Sequence, residues 1–218
     1  MRNILVLFLL FVSTQVFAKY YPGIIYLHDG SVIEADIEIP SQPKELFIKY
    51  TVGKDNLFLR SEEINLFVIY FKKETSSVFS YLEIENGFEA GLKKWVVLGH
   101  HTPHMDVYTL AHSYEVDKHN VLRLKTSDLN FNHGIAYYMK KKTAKKLYYI
   151  CEYNDGMVDH KDFYENAAAY CKDEPRLEKS ILKKEFKWKD IYKIAEVYNT
   201  FKEYKQVRKE QLNGNSTL

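Results

Sequence analysis

The chain is poor in the residues that break or staple a fold. Of its 218 residues 9 are glycine, 5 are proline and 2 are cysteine. With no low-complexity tract, internal repeat or linker, its segments are expected to pack together. The two cysteines allow at most one internal bridge. A dominant charge is missing as well, since 31 basic against 29 acidic residues leave a net +2. A dedicated nucleic-acid binder carries a strong basic excess, so nucleic acid is not expected as a partner. Beyond Ala18 no apolar run approaches the roughly 20 residues that a membrane-spanning helix needs. Also absent are a Gly-x-Ser-x-Gly elbow, a His-Glu-x-x-His pair, a Walker loop and a dinucleotide fingerprint. No cofactor is therefore expected, and an enzyme is the lesser expectation.

What the chain does have is apolar and aromatic. Hydrophobic residues make up 46% and charged residues 28%, which is globular rather than disordered. There are 18 tyrosines and 13 phenylalanines, a balance that with so little glycine favours sheet. The opening stretch Met1–Ala18 carries one charge, Arg2, then the apolar run Ile4–Val12, then Val16-Phe17-Ala18. A basic start, an apolar centre and a small-x-Ala end are the grammar of a secretory signal peptide. The expected setting is thus periplasmic or extracellular. There Cys151 and Cys171 could pair, which would stabilise the fold by roughly 3 kcal/mol in the chain-entropy model. The alternative is two small buried apolar side chains.

Hydrophobic periodicity divides the rest into three segments and a tail. Residues 19–86 read as strands. Gly23–His28 and Val32–Ile39 flank the hairpin signal Asp29-Gly30, and Leu46–Val52 and Asn56–Arg60 flank Gly53-Lys54-Asp55. With Leu66–Phe71 and Val78–Glu85 they suggest a five- or six-stranded sheet or partial barrel. Residues 87–155 continue with Trp95–Leu98, Asp106–Val116, Val121–Lys125 and a hairpin of Ile135–Lys140 and Lys145–Cys151. In residues 156–212 the period changes to that of a helix. Asp159 can cap a helix bearing Phe163, Ala167, Tyr170 and Cys171, Pro175 can open a second, and Ile191, Ile194, Tyr198 and Phe201 stripe a third. Residues 213–218 are expected to be disordered. The fold class is α+β: an antiparallel β-rich body with three C-terminal helices packed on it.

Four groups of residues could carry chemistry. His100, His101 and His104, with His112 nearby, form the densest set of metal-ligand types, although Pro103 prevents a shared helix face. Glu34, Asp36 and Glu38 project from one strand face, where lysines of neighbouring strands can pair with them. Lys140, Lys141, Lys142, Lys145 and Lys146 crowd a hairpin tip. The last four are the candidate contact for an anionic partner, with protection of a sheet edge as the alternative role. Asn215-Ser216-Thr217 fits a glycosylation acceptor. Both cysteines lie among apolar and aromatic neighbours, which raise a thiol pKa and argue against a nucleophile.

Three stretches carry a resemblance: Pro22-Gly23-Ile24-Ile25 leading to Asp29-Gly30, Tyr137-Tyr138-x-Lys140, and Tyr170-Cys171 followed by Leu177, Ile181 and Tyr198-Asn199. In these the chain resembles an uncharacterised family of exported Bacteroidetes proteins. It departs from some of them at Asp29-Gly30-Ser31, where they carry Gly-Asp-Thr. The resemblance implies an envelope or extracellular setting and brings no activity. The expectation is a non-catalytic envelope protein that binds another, possibly anionic, envelope component. The alternatives are a metal-binding protein using the histidines, or a hydrolase whose residues converge only in the fold.

Overall fold

A computed structural model describes residues 19–71, 75–119, 121–126, 134–154 and 157–214. The leader-like Met1–Ala18 and the Asn215-Ser216-Thr217 acceptor lie outside the described residues. The described strands are β1 (Tyr20–Leu27), β2 (Val32–Glu38), β3 (Phe47–Val52), β4 (Asp55–Arg60), β5 (Ile64–Tyr70), β6 (Ser76–Glu83), β7 (Lys93–His101), β8 (Met105–Leu110), β9 (Ser113–Val116), β10 (Leu122–Lys125), β11 (Ile135–Lys141), β12 (Tyr148–Asn154) and β13 (Met157–Val158). Three helices follow, α1 (His160–Tyr170), α2 (Pro175–Leu182) and α3 (Ile191–Gly214). The class is α+β, and among the described residues no helix is long and apolar enough to cross a membrane.

Local chemistry sets the element ends. At Asp29-Gly30 the glycine adopts φ +88°, and the Asp29 carboxylate accepts from the Ser31 backbone N–H at 2.8 Å, closing the turn between β1 and β2. Asp159 caps α1 by accepting from the N–H groups of Lys161 and Asp162 at 2.9 and 3.1 Å. Pro175 occupies the first position of α2, where a missing N–H costs nothing.

The strands do not form the small sheet expected for residues 19–86. Eleven of them join in one sheet, in the order β13-β12-β11-β8-β7-β6-β5-β1-β2-β3-β4. The sheet runs straight across the boundary that the sequence suggested at residue 86, because β6 pairs with β7. The expected strand Asp106–Val116 is also two. It turns at Ala111-His112, and β9 leaves the sheet to pair with β10 alone. Its Tyr114 is buried against Phe79, ring centroids 5.5 Å apart, so the hairpin lies on the apolar face of the sheet.

One sheet face carries two cores. Ile25, Phe67, Phe79, Trp95 and Val97 follow one another across the register and pack under the β9–β10 hairpin. Further along, Val107, Met139 and Cys151 meet Phe163, Ala167, Leu177, Ile181 and Ile194 of the helices. The helical stripes thus rest on the preceding sheet, as expected. Each fully buried large side chain contributes roughly 1.5–3 kcal/mol. Cys151 and Cys171 sit in this second core as free, buried thiols, so the possible disulfide is not formed. Each is fixed by its own apolar neighbours on a different element. The helical segment also outlasts its apolar stripe, running to Gly214 where disorder was expected from residue 213.

The opposite face curls into a pocket-like core. Ile84, just past β6, forms a parallel bridge with Leu147, just before β12. Glu85 N–H donates to Leu147 O at 2.8 Å, and Leu147 N–H donates to Glu83 O at 2.9 Å. The run β6-β7-β8-β11-β12 therefore closes on itself as a partial barrel around Ile84, Val96, Tyr108, Leu110, Ala136, Tyr138 and Leu147.

Candidate functional site

The partial barrel opens at one end into a cavity of about 680 Å³. That volume lies within the range of small-molecule sites. Leu110 and Ala136, paired across β8 and β11, form an apolar wall with Tyr138. Tyr149 from β12 stands edge-on to Tyr138, with ring centroids 5.8 Å apart. His112, at the corner after β8, and Glu152 from β12 also line the opening.

Two lips border it, and both are pinned. Residues 84–92 form a tight turn held by Gly91 N–H to Ile84 O at 2.8 Å and Ile84 N–H to Leu92 O at 2.9 Å. The Asn86 side chain ties this turn to β12 by accepting from Tyr149 N–H at 2.6 Å and donating to Tyr149 O at 3.3 Å. Gly87 has φ +83°, and a Cβ there would stand 3.3 Å from the Tyr149 ring, so glycine suits both the turn and the close approach. At the tip Phe88 is fully exposed beside the opening. The second lip, Gln42-Pro43-Lys44, is held by Trp95. Its N–H donates to Pro43 O at 2.9 Å and its indole to Glu45 O at 3.1 Å.

The most deeply buried charged side chain in the lining is Lys94. Register places it opposite Leu82 on the barrel-interior side of β7, and its side chain is 5% exposed. Its ammonium contacts the Glu89 carboxylate of the first lip. Burial, and then repulsion from Lys44, push the ammonium down to about 8. Burial pushes the Tyr138 and Tyr149 phenols up, helped for Tyr138 by the nearby Tyr149 and for Tyr149 by Glu152, so both stay neutral. Glu152 accepts from Gly134 N–H. A buried amine between the two lips of an apolar, aromatic slot suits a ligand with an acidic or polar head and a hydrophobic body.

Of the residues singled out in the sequence, His112 and Tyr138 line the cavity, while the clustered histidines and the lysine tip fall elsewhere. Among the described residues no group of three or more His, Cys, Asp or Glu side chains is gathered to hold a metal. Neighbours on a strand point to opposite faces, which separates His100 from His101. His100 Nε2 lies 2.6 Å from Glu196 on α3, its ring 5.5 Å from that of Tyr192. His101 Nδ1 lies 2.8 Å from Asp106 on the other side. His104 occupies the turn between β7 and β8, where its carbonyl accepts from Lys142 N–H at 3.1 Å.

The lysine tip is largely neutralised within the chain. Lys141 sits 2.7 Å from Asp173, its ammonium 4.7 Å from the centre of the Tyr170 ring. Lys142 reaches both oxygens of the buried Asp106, at 2.6 and 2.5 Å, and Lys146 lies 2.6 Å from Glu83. Of the four candidate contacts, Lys145 alone has no ion-pair partner among the described residues. On β2, Glu38 pairs with Lys49 of β3 at 3.2 Å, and Glu34 and Asp36 are exposed.

Sequence reasoning missed Lys94, Glu89 and Glu152 as a site. They come from separate strands and one turn, with no spacing that marks them. The one available signal was a lysine directly before the apolar Trp95-Val96-Val97 on a buried strand. No family model, curated protein or solved structure matches the chain.

Proposed function

We propose that this is an exported envelope protein that works by binding, and that it holds an amphipathic anion, itself an envelope component, in the cleft beside Lys94. Lys94 is the observation that carries this reading. Burying an ammonium costs several kcal/mol unless partners offset it, and here it is buried in the lining of a largely apolar cavity with Glu89 as its one ion-pair partner among the described residues. A bound carboxylate or sulfonate would supply a second partner, while Tyr138, Leu110 and Ala136 would cover its hydrophobic body. The signal-peptide grammar of Met1–Ala18 supports export, and the Bacteroidetes resemblance supports an envelope setting. The neutralised lysine tip favours the cleft over that tip as the contact.

The test is fluorescence titration with anilinonaphthalene sulfonate, an anionic amphiphile, and with an uncharged anilinonaphthalene. The sulfonate should bind more tightly, and Lys94→Met should weaken it at least about tenfold, the value of one charge-assisted hydrogen bond. Equal binding of the two probes, or no effect of Lys94→Met, overturns the reading.

A second, hydrolytic reading is favoured by one observation: Glu89, His112 and Glu152 reach the cleft from separate segments. Turnover of chromogenic esters or glycosides that disappears in Glu152→Gln would support it, and absence of turnover would remove it.

A further inference from the structure

We propose that Lys94 is a covalent capture site for carbonyl compounds, its amine condensing with an aldehyde or ketone seated in the cleft to form an imine. This deepens the reading of the cleft as the ligand site, on which it rests, and names a second ligand chemistry for it.

An imine-forming lysine needs shielding from water, room for the carbonyl, and an adjacent group that moves a proton. Lys94 has all three. Its side chain is 5% exposed and lines the 680 Å³ cavity, whose walls are Leu110, Ala136 and the Tyr138–Tyr149 pair. Glu89 is in direct contact with its nitrogen. Lys44, held on the facing lip by the Trp95 hydrogen bonds, disfavours the charged form. Desolvation beside a second cation is a recognised route to a nucleophilic lysine. The other lysines in reach of solvent, such as Lys145, lack this enclosure.

The step balances within the site. Lys94 passes one ammonium proton to the Glu89 carboxylate, and the freed lone pair on Nζ attacks the carbonyl carbon. The new C–N bond gives a carbinolamine after a proton shifts from nitrogen to oxygen. Glu89 returns its proton to the carbinolamine hydroxyl, the C–O bond breaks and water leaves. The nitrogen keeps the cationic imine opposite the restored carboxylate, and nothing is oxidised or reduced. The apolar walls select an aldehyde with a hydrophobic or aromatic body, for which cinnamaldehyde is a suitable probe.

The experiment treats the folded protein with limiting cinnamaldehyde and cyanoborohydride, which fixes imines as secondary amines, and maps adducts by peptide mass spectrometry. Lys94 should be labelled at least about tenfold faster than Lys145, as expected for an enclosed amine whose charged form is disfavoured by burial and by Lys44. Glu89→Gln should slow that labelling. Lys94→Met should remove the fast adduct while circular dichroism stays unchanged. Labelling spread over exposed lysines, with Lys94 unmodified or no faster than Lys145, overturns the proposal. If that happens while the sulfonate probe still depends on Lys94, the imine alone fails. If Lys94 is labelled but the sulfonate ignores it, the anion reading alone fails.

Discussion

Asn86 hydrogen-bonds both backbone groups of Tyr149, accepting from its N–H at 2.6 Å and donating to its carbonyl at 3.3 Å across 63 positions of sequence. The contact does for a turn and a strand what a ladder does for two strands. Asn86→Ala leaves a partly buried N–H and C=O without their partner, at a cost of about 1–3 kcal/mol. Urea denaturation should show that loss as a lower midpoint. Probe binding should weaken too, since the turn that presents Phe88 and Glu89 is no longer tied to the cleft wall.

Phe88 should behave in the opposite way. A fully exposed ring contributes little to folding, so Phe88→Ser should shift stability by no more than about 0.5 kcal/mol. Binding of a hydrophobic probe should nonetheless weaken. A lower melting temperature with unchanged binding would show that the ring serves the fold.

The pH dependence of the cleft follows from Lys94. Burial and Lys44 push its ammonium down to about 8, so affinity for an anionic probe should fall as pH rises through that value and be flat in Lys94→Met. Stability runs the other way. The unfolded chain keeps a lysine proton up to its ordinary value near 10.5, so between about 8 and 10.5 unfolding takes up protons and stability rises with pH. Thermal melts across this window, in wild type and Lys94→Met, check the sign.

Asp173 predicts the acid limb. Partial burial opposes its ionisation, but Lys141, Lys202 and the Tyr198 hydroxyl outweigh that and hold the carboxyl well below its usual range. Its contribution is therefore present above the ordinary carboxyl value near 4 and is lost as pH falls below it. Asp173→Asn should cost roughly 1 kcal/mol at neutral pH, an amount moderated by solvent access, and the difference should close in acid. Melts at neutral and acidic pH measure it.

The two cysteines yield a chemical prediction. Burial pushes both thiols up to about 12. Native protein at neutral pH should resist iodoacetamide, and denatured protein should react at both positions without prior reduction. Rapid native labelling would place a thiol at the surface.

Legibility followed distance along the chain. The cap at Asp159, the proline opening α2 and the Ile191-Ile194-Tyr198 stripe are local signals, and the helices form where those residues predict. The corner at Ala111-His112 was hidden because no glycine or proline marks it. The chain bends there so that β9 can pair with β10 and Tyr114 can reach Phe79, a contact between distant residues. For the same reason the eleven-strand order could not be read, since β1 meets β5 through Gly23↔Ile69, a pairing that no local pattern encodes. The lysine cluster was visible, but its meaning depended on Asp106, Asp173 and Glu83, which only folding brings near.

The weld between Ile84 and Leu147 dictates the order in which a nascent chain can settle. Emerging N-terminus first, β1 can take β2 at once, yet its other flank stays open until residue 69 arrives. The Lys94 chamber must wait longer, because its last seam closes only when residue 147 is in hand. Pairings of such long range are slow and leave greasy surface uncovered meanwhile. Until the second half arrives to shut the barrel, the first half must carry that surface uncovered.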